Sequence, residues 1–86
     1  MYYNYVLFSM KDMGFYTGFT KNLKLRCEQH NSGLRVSTKY RKPFNLIYYE
    51  ACPNKKDAIK REKYLKSFRG KIFIKRRLKS YLTQNL

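Results

Sequence analysis

Acidic residues are scarce in this chain. Five Asp and Glu stand against twenty Lys and Arg in 86 residues, leaving a formal net charge of +15. Self-repulsion of that size opposes folding, so the excess is expected to serve a polyanionic partner. Nucleic acid comes first, an anionic membrane surface second, and a merely solvated basic surface third. Cysteine is as scarce. Cys27 and Cys52 lie far apart and outside any Cys/His cluster, which excludes a zinc knuckle and a CxxC redox motif and leaves two free thiols. No run approaches the ~18 apolar residues of a membrane span. No basic stretch precedes an apolar one at the N-terminus, so a cytoplasmic, reducing location is expected. The four glycines form no phosphate loop of the P-loop or dinucleotide type, which leaves nucleoside-triphosphate chemistry without support. The length excludes a two-domain enzyme or a repeat array and predicts one domain over residues 1–86.

Aromatic rings are what the chain has in quantity. Nine Tyr and six Phe, within a hydrophobic content of 43%, are too many for a disordered basic tail. They predict a small, ring-rich core. A domain of this size buries only roughly 60% of its unfolded surface, so its stability is modest.

The pattern predicts a strand over Tyr2 to Ser9, rich in aromatic and β-branched residues. A polar turn follows, in which Gly14 can take positive φ. Phe15 to Phe19 completes a hairpin, with Tyr16 and Gly18 on one face and Phe15, Thr17 and Phe19 on the other. Thr20 or Asn22 caps a helix running to about Asn31, with Leu23, Cys27 and His30 on one stripe, Arg26 beside it and Gly33 as the stop signal. Leu34 to Lys42 is a basic loop carrying Arg35, Lys39, Arg41 and Lys42. Phe44 to Ala51 is a third strand whose weak alternation predicts cover on both faces. Asn54 caps a helix over about Lys55 to Phe68. Gly70 separates it from a last helix over about Lys71 to Leu82, with Ile74, Leu78 and Tyr81 or Leu82 inward. The order β-β-α-β-α-α describes an α+β domain with a small sheet.

Several side chains in this layout suit chemistry. Ala58, Glu62 and Leu65 share one helix face. A carboxylate on an apolar face is either ion-paired or a ligand for a hard cation. Arg26 and His30 are neighbours one turn apart. Together they suit clamping a phosphate and moving a proton, or are a solvated arginine and a helix-end histidine held by the helix dipole. Tyr5 and Tyr16 face one another if the hairpin aligns them; a phenol is a weak base unless its surroundings lower its pKa.

These residues, in order, resemble the GIY-YIG nuclease superfamily, in particular its small stand-alone bacterial members similar to the N-terminal domain of the nucleotide excision repair incision nuclease. The resemblance rests on Tyr3-Asn4-Tyr5, Tyr16-Thr17-Gly18, Thr20, Asn22-Leu23, Arg26 and His30-Asn31-Ser32-Gly33. It continues through Thr38 to Glu50 and Ala58 to Lys63, and covers Tyr2 to about Leu82. It implies a three-stranded antiparallel sheet flanked by helices and a DNA endonuclease dependent on Mg²⁺ or Mn²⁺, structure-selective in repair or recombination. Glu62 matches the metal-binding glutamate and Arg26 the arginine at the scissile phosphate. Tyr5 and Tyr16 match the two motif tyrosines and His30 the helix histidine, so that Tyr5, Tyr16 or His30 activates the water, and Gly18 matches the glycine that admits close backbone approach. Arg35, Lys39, Arg41, Lys42 and Lys63 then hold flanking phosphates of duplex or branched DNA, or of RNA, without reading bases. The first tripeptide departs from the family pattern in lacking its Gly and Ile. The alternative is a basic nucleic-acid-binding module on the same fold without catalysis.

Overall fold

A computed structural model describes residues 1–84. Tyr2–Ser9 form β1, Phe15–Thr20 β2, Leu23–Ser32 α1, Phe44–Cys52 β3, Lys55–Lys66 α2, Phe68–Arg77 α3 and Lys79–Gln84 α4. The sheet is antiparallel with order β2-β1-β3, so the first strand in sequence is the central one. β1 carries the core accordingly, with Asn4 through Ser9 all buried.

Alternation along β1 feeds two apolar layers. Tyr5 and Leu7 pack with Phe44, Tyr16, Leu23 and Cys27 under α1. Val6 faces the other way and joins Leu65 of α2 and Ile74 and Phe73 of α3. Asn4 shares the Val6 face by strand alternation. Its Oδ1 is buried and finds no hydrogen-bond partner among the described residues. An unpartnered buried polar atom costs about 1–3 kcal/mol. Asn4→Val is therefore expected to raise the melting temperature, as read by calorimetry; a lowered melting temperature would show that the amide is satisfied in solution.

Four expectations change at this level. β3 is an edge strand, and only Phe44 of it is buried, so it is not covered on both faces. Its weak alternation comes from a bulge: Val6 pairs with Tyr48 and Leu7 with Leu46, which leaves Ile47 as the extra residue. In the β1–β2 turn the positive φ falls on Met13, at 62°, and not on Gly14. Gly14 instead donates its N–H to Asp12 Oδ1 at 2.8 Å. The break after α2 falls at Ser67, which donates to Tyr64 O at 2.6 Å and caps α3 by accepting from Gly70 N at 3.2 Å. Gly70 lies inside α3, where a Cβ would overlap the backbone of Tyr64 and Leu65, so it serves close approach rather than separation. The expected last helix is divided at Leu78 into α3 and α4.

A polar clasp holds α2 to the free edge of the sheet. Arg61 donates from Nε and Nη2 to the Glu50 carboxylate at 2.8 and 2.7 Å, and Tyr48 Oη donates to it at 2.6 Å. The guanidinium holds the Glu50 carboxyl below its usual range and also lies over the Tyr64 and Phe73 rings.

Candidate active site

Asn22 starts α1 by accepting from Leu25 N at 3.1 Å, while Thr20 Oγ1 accepts from Asn22 N. Gly33, at φ 82°, ends it in the left-handed region that favours glycine. The last turn therefore points His30 down onto the sheet, fully buried. His30 Nε2 lies 2.9 Å from Tyr5 Oη, and Nδ1 lies 2.6 Å from Thr38 Oγ1. The Tyr16 ring completes the cluster, 4.9 Å from His30 and 6.5 Å from Tyr5 between centroids. Its hydroxyl accepts from Ser37 Oγ at 3.5 Å. The hairpin register places Tyr5 opposite Gly18 and Leu7 opposite Tyr16, so the two tyrosines share a face.

Burial sets the protonation of this cluster. It pushes the Tyr5 phenol up to about 12, helped by Tyr16 and opposed by Arg26. It holds His30 down to about 4, and the positive charges of Arg35 and Arg26 add to the effect. Both groups are neutral at pH 7, so His30 is not the charged, dipole-stabilised helix-end residue that the spacing allowed. Thr38 Oγ1 faces the Arg35 carbonyl at 3.5 Å. If it donates there, Nδ1–H donates to Thr38, and the bare Nε2 accepts the Tyr5 proton.

A folded-state pKa below the ordinary 6.5 means that the unfolded chain takes up a proton first on acidification. The stability due to neutral His30 is therefore present above about pH 6.5 and lost as pH falls towards 4. The loss amounts to about 3 kcal/mol at its full extent. Denaturant melts at pH 7 and 5 are expected to show a drop that His30→Gln flattens. An unchanged midpoint in the native protein would contradict a buried neutral imidazole.

Gly18 is needed for contact rather than for its φ. A Cβ there would overlap the Tyr5 ring and hydroxyl. Gly18→Ala is expected to cost about 1–3 kcal/mol by overpacking and to displace Tyr5 from His30. A Tyr5 phenol titrating at its ordinary value, followed by ultraviolet absorbance, reads the displacement. A variant with native stability would show that the ring is free to move aside.

Arg26 is half-buried on α1, and no carboxylate pairs with it among the described residues. It lines a groove of about 410 Å³ together with Phe19, Gln29 and Lys55 at the start of α2. No hydrogen bond or ion pair joins Glu62 to this cluster among the described residues. Ala58 and Leu65 on its face are buried, but the Glu62 side chain keeps 20% of its surface exposed. It pairs with Lys66 at 3.1 Å along the helix. The carboxylate is thus half-buried, and its partner is an exposed lysine rather than the buried salt bridge that the spacing allowed. Among the described residues no group of three or more His, Cys, Asp and Glu is gathered for a metal ion. A hard cation here would rely on Glu62 alone among acidic side chains, with water and phosphate oxygens completing the shell.

The basic residues divide. Lys39, Lys42 and Lys63 are exposed, and Arg35 is half-buried beside His30. Arg41 is already paired within the chain. Its Nε and Nη2 donate to Asp12 at 2.6 and 3.2 Å, and Nη2 donates to Phe15 O at 3.2 Å. The same guanidinium holds the Asp12 carboxyl down to about 2, so Arg41 straps the loop to the β1–β2 turn. Nor is the loop simply solvated, since Thr38 within it is completely buried. Asn31 pins its far end by accepting from Phe44 N at 2.7 Å and donating to Phe44 O at 3.1 Å. Thr38 and Asn31 carried no periodic signal; their place within the family-like segments was the only cue.

A small α+β domain with a polar cluster between one sheet face and a helix, under so basic a surface, belongs to the class of domains directed at nucleic acid. The model of the GIY-YIG catalytic domain matches residues 1–77, and the chain belongs to this nuclease family. It is 43% identical over 67 residues to a UPF0213 protein of Clostridium perfringens, covering 77% of this chain and 71% of that one. It is 38% identical over 68 residues to one from Staphylococcus saprophyticus, covering 78% and 82%. It is 43% identical over 70 residues to one from Pediococcus acidilactici, covering 76% and 68%. No solved structure matches the chain. No helix among the described residues is long and apolar enough to cross a membrane.

Proposed function

We propose that residues 1–86 act as one DNA endonuclease domain, hydrolysing phosphodiester bonds with Mg²⁺ or Mn²⁺ on Glu62. The hydrogen-bonded line from Tyr5 through His30 to Thr38, with Arg26 beside it, carries this reading. Tyr5 Oη accepts a proton from the attacking water as its own proton passes to His30 Nε2. Thr38 holds the imidazole in the tautomer that can receive it. Tyr16 packs against the His30 ring and keeps the pair oriented. A phosphate near Arg26 and Arg35 offsets the charges that depress His30, which makes it the better base once substrate is bound. Arg26 stabilises the charge that develops on the phosphate. Glu62 would hold the cation, which would supply Lewis-acid stabilisation of that phosphate. Arg35, Lys39, Lys42 and Lys63 hold flanking phosphates, whereas Arg41 braces the loop. The free Cys27 and Cys52 agree with a reducing, cytoplasmic location.

Incubation of the protein with end-labelled linear, flapped and branched DNAs, and with RNA, tests this. Cleavage is expected with Mg²⁺ or Mn²⁺ and none with EDTA, and the preferred substrate reports on a role in repair or recombination. Binding persists in EDTA with a log–log salt slope of roughly −4 to −5 for about five neutralised phosphates. Tight, salt-sensitive binding with no cleavage under any metal would make the domain a non-catalytic binder.

A further inference from the structure

On the sheet face opposite α1, a groove of about 570 Å³ runs between α2 and α3. Tyr64 forms one wall. Arg69, Ile72, Phe73 and Arg76, one stripe of α3, form the other, with Arg77 at the rim. None of these residues belongs to the Tyr5–His30 cluster. From Phe68 to Gln84 the chain carries Arg69, Lys71, Lys75, Arg76, Arg77 and Lys79 and no acid. Among the described residues no carboxylate pairs with Arg69, Arg76 or Arg77. Phe68, next to Arg69, is 78% exposed.

We propose that this groove binds an unpaired DNA strand, seating a base against Tyr64 and Phe73 and its flanking phosphates on Arg69, Arg76 and Arg77. Ring faces attract any base that is free to stack, and planar guanidinium groups match phosphate oxygens. A duplex supplies the phosphates but keeps its base faces stacked inside, so it has no use for the aromatic wall. The unopposed arginines exclude a basic partner and favour a polyanion. The choice of DNA rests on the endonuclease reading. It adds to that reading a substrate with a single-stranded arm, held on the sheet face opposite the Tyr5–His30 cluster.

Fluorescence anisotropy of labelled oligothymidine and of a blunt hairpin duplex, both in EDTA, tests the groove separately from cleavage. The double variant Arg69→Ala/Arg76→Ala is expected to lose about tenfold in oligothymidine affinity and to flatten its salt slope by roughly 1.4. Hairpin binding should change much less. Arg69→Lys/Arg76→Lys restores the salt slope. Tyr64→Leu, which keeps bulk but not the ring, loses about fivefold or more on oligothymidine at an unchanged salt slope. Equal losses on both DNAs would reduce the groove to a general phosphate surface, and no loss on either would remove it. Stronger displacement by polyglutamate than by oligothymidine would assign it to an acidic protein. Metal-dependent cleavage of a hairpin by each variant keeps the two readings apart. Groove binding without any cleavage by the native protein overturns the endonuclease and leaves the groove standing. Cleavage with no groove effect does the reverse.

Discussion

Glu62→Gln is expected to abolish metal-dependent cleavage while leaving melting temperature and DNA affinity nearly unchanged. Gln keeps the size and one carbonyl oxygen but removes the charge that a hard cation requires. The stability side follows from the geometry. The Glu62 partner, Lys66, keeps 55% of its side chain exposed, so its ammonium stays hydrated when the carboxylate is lost. Surface pairs of this kind contribute about 0–1 kcal/mol. A buried partner would instead have been stranded at about 3–5 kcal/mol. Mn²⁺ is expected to raise the melting temperature of the native protein and not that of the variant, because only the folded native site binds the ion. A variant that melts much lower yet still cuts DNA with metal would remove Glu62 from the site and take the cation scheme with it.

Arg26→Ala is expected to slow cleavage by about 10²–10³ while weakening DNA binding only slightly. Twenty cationic side chains share the ground-state attraction, so loss of one changes affinity little. Arg26 differs from the rest in its place: its charge reaches both Tyr5 and His30. Loss of that charge also lets the His30 pKa rise, so the pH profile of the residual activity should shift to higher pH. Single-turnover rates and anisotropy on the same DNA separate the effects. Equal losses in rate and binding would make Arg26 an ordinary phosphate contact.

The hairpin, the Asn54 cap, the Gly33 stop and, as one of two candidates, the Asn22 cap were legible in the sequence. Each is a local device: alternation for the strands, a side-chain oxygen for the first free N–H groups, a residue at ease in left-handed backbone. Tyr5 and Tyr16 fell on one face because strand alternation has a fixed period of two. The break at Ser67 was masked by Gly70, since a glycine reads as a breaker whether it frees the backbone or admits a neighbour. Here it admits the end of α2. The open faces of β3 were hidden by the bulge at Ile47, which blurs alternation in the same way as cover on both faces.

By itself, then, the sequence determined the element order as far as α3, the inward stripes, the charge that calls for a polyanion and the spacing that marks the family. Each depends on residues within a few positions of one another or on composition alone. The tertiary structure decided partner choice. His30 meets Tyr5 and Thr38, Arg41 is taken by Asp12, Arg61 by Glu50, and Glu62 keeps a surface lysine. Periodicity tells which way a side chain points from its own helix or strand. It does not tell which of twenty cations or nine tyrosines stands opposite. That depends on strand order, on the close approach at Gly18 and Gly70, and on a loop folded so that Thr38 is buried. For a histidine in a dry interior, those contacts decide whether it is a solvated cation or a neutral base.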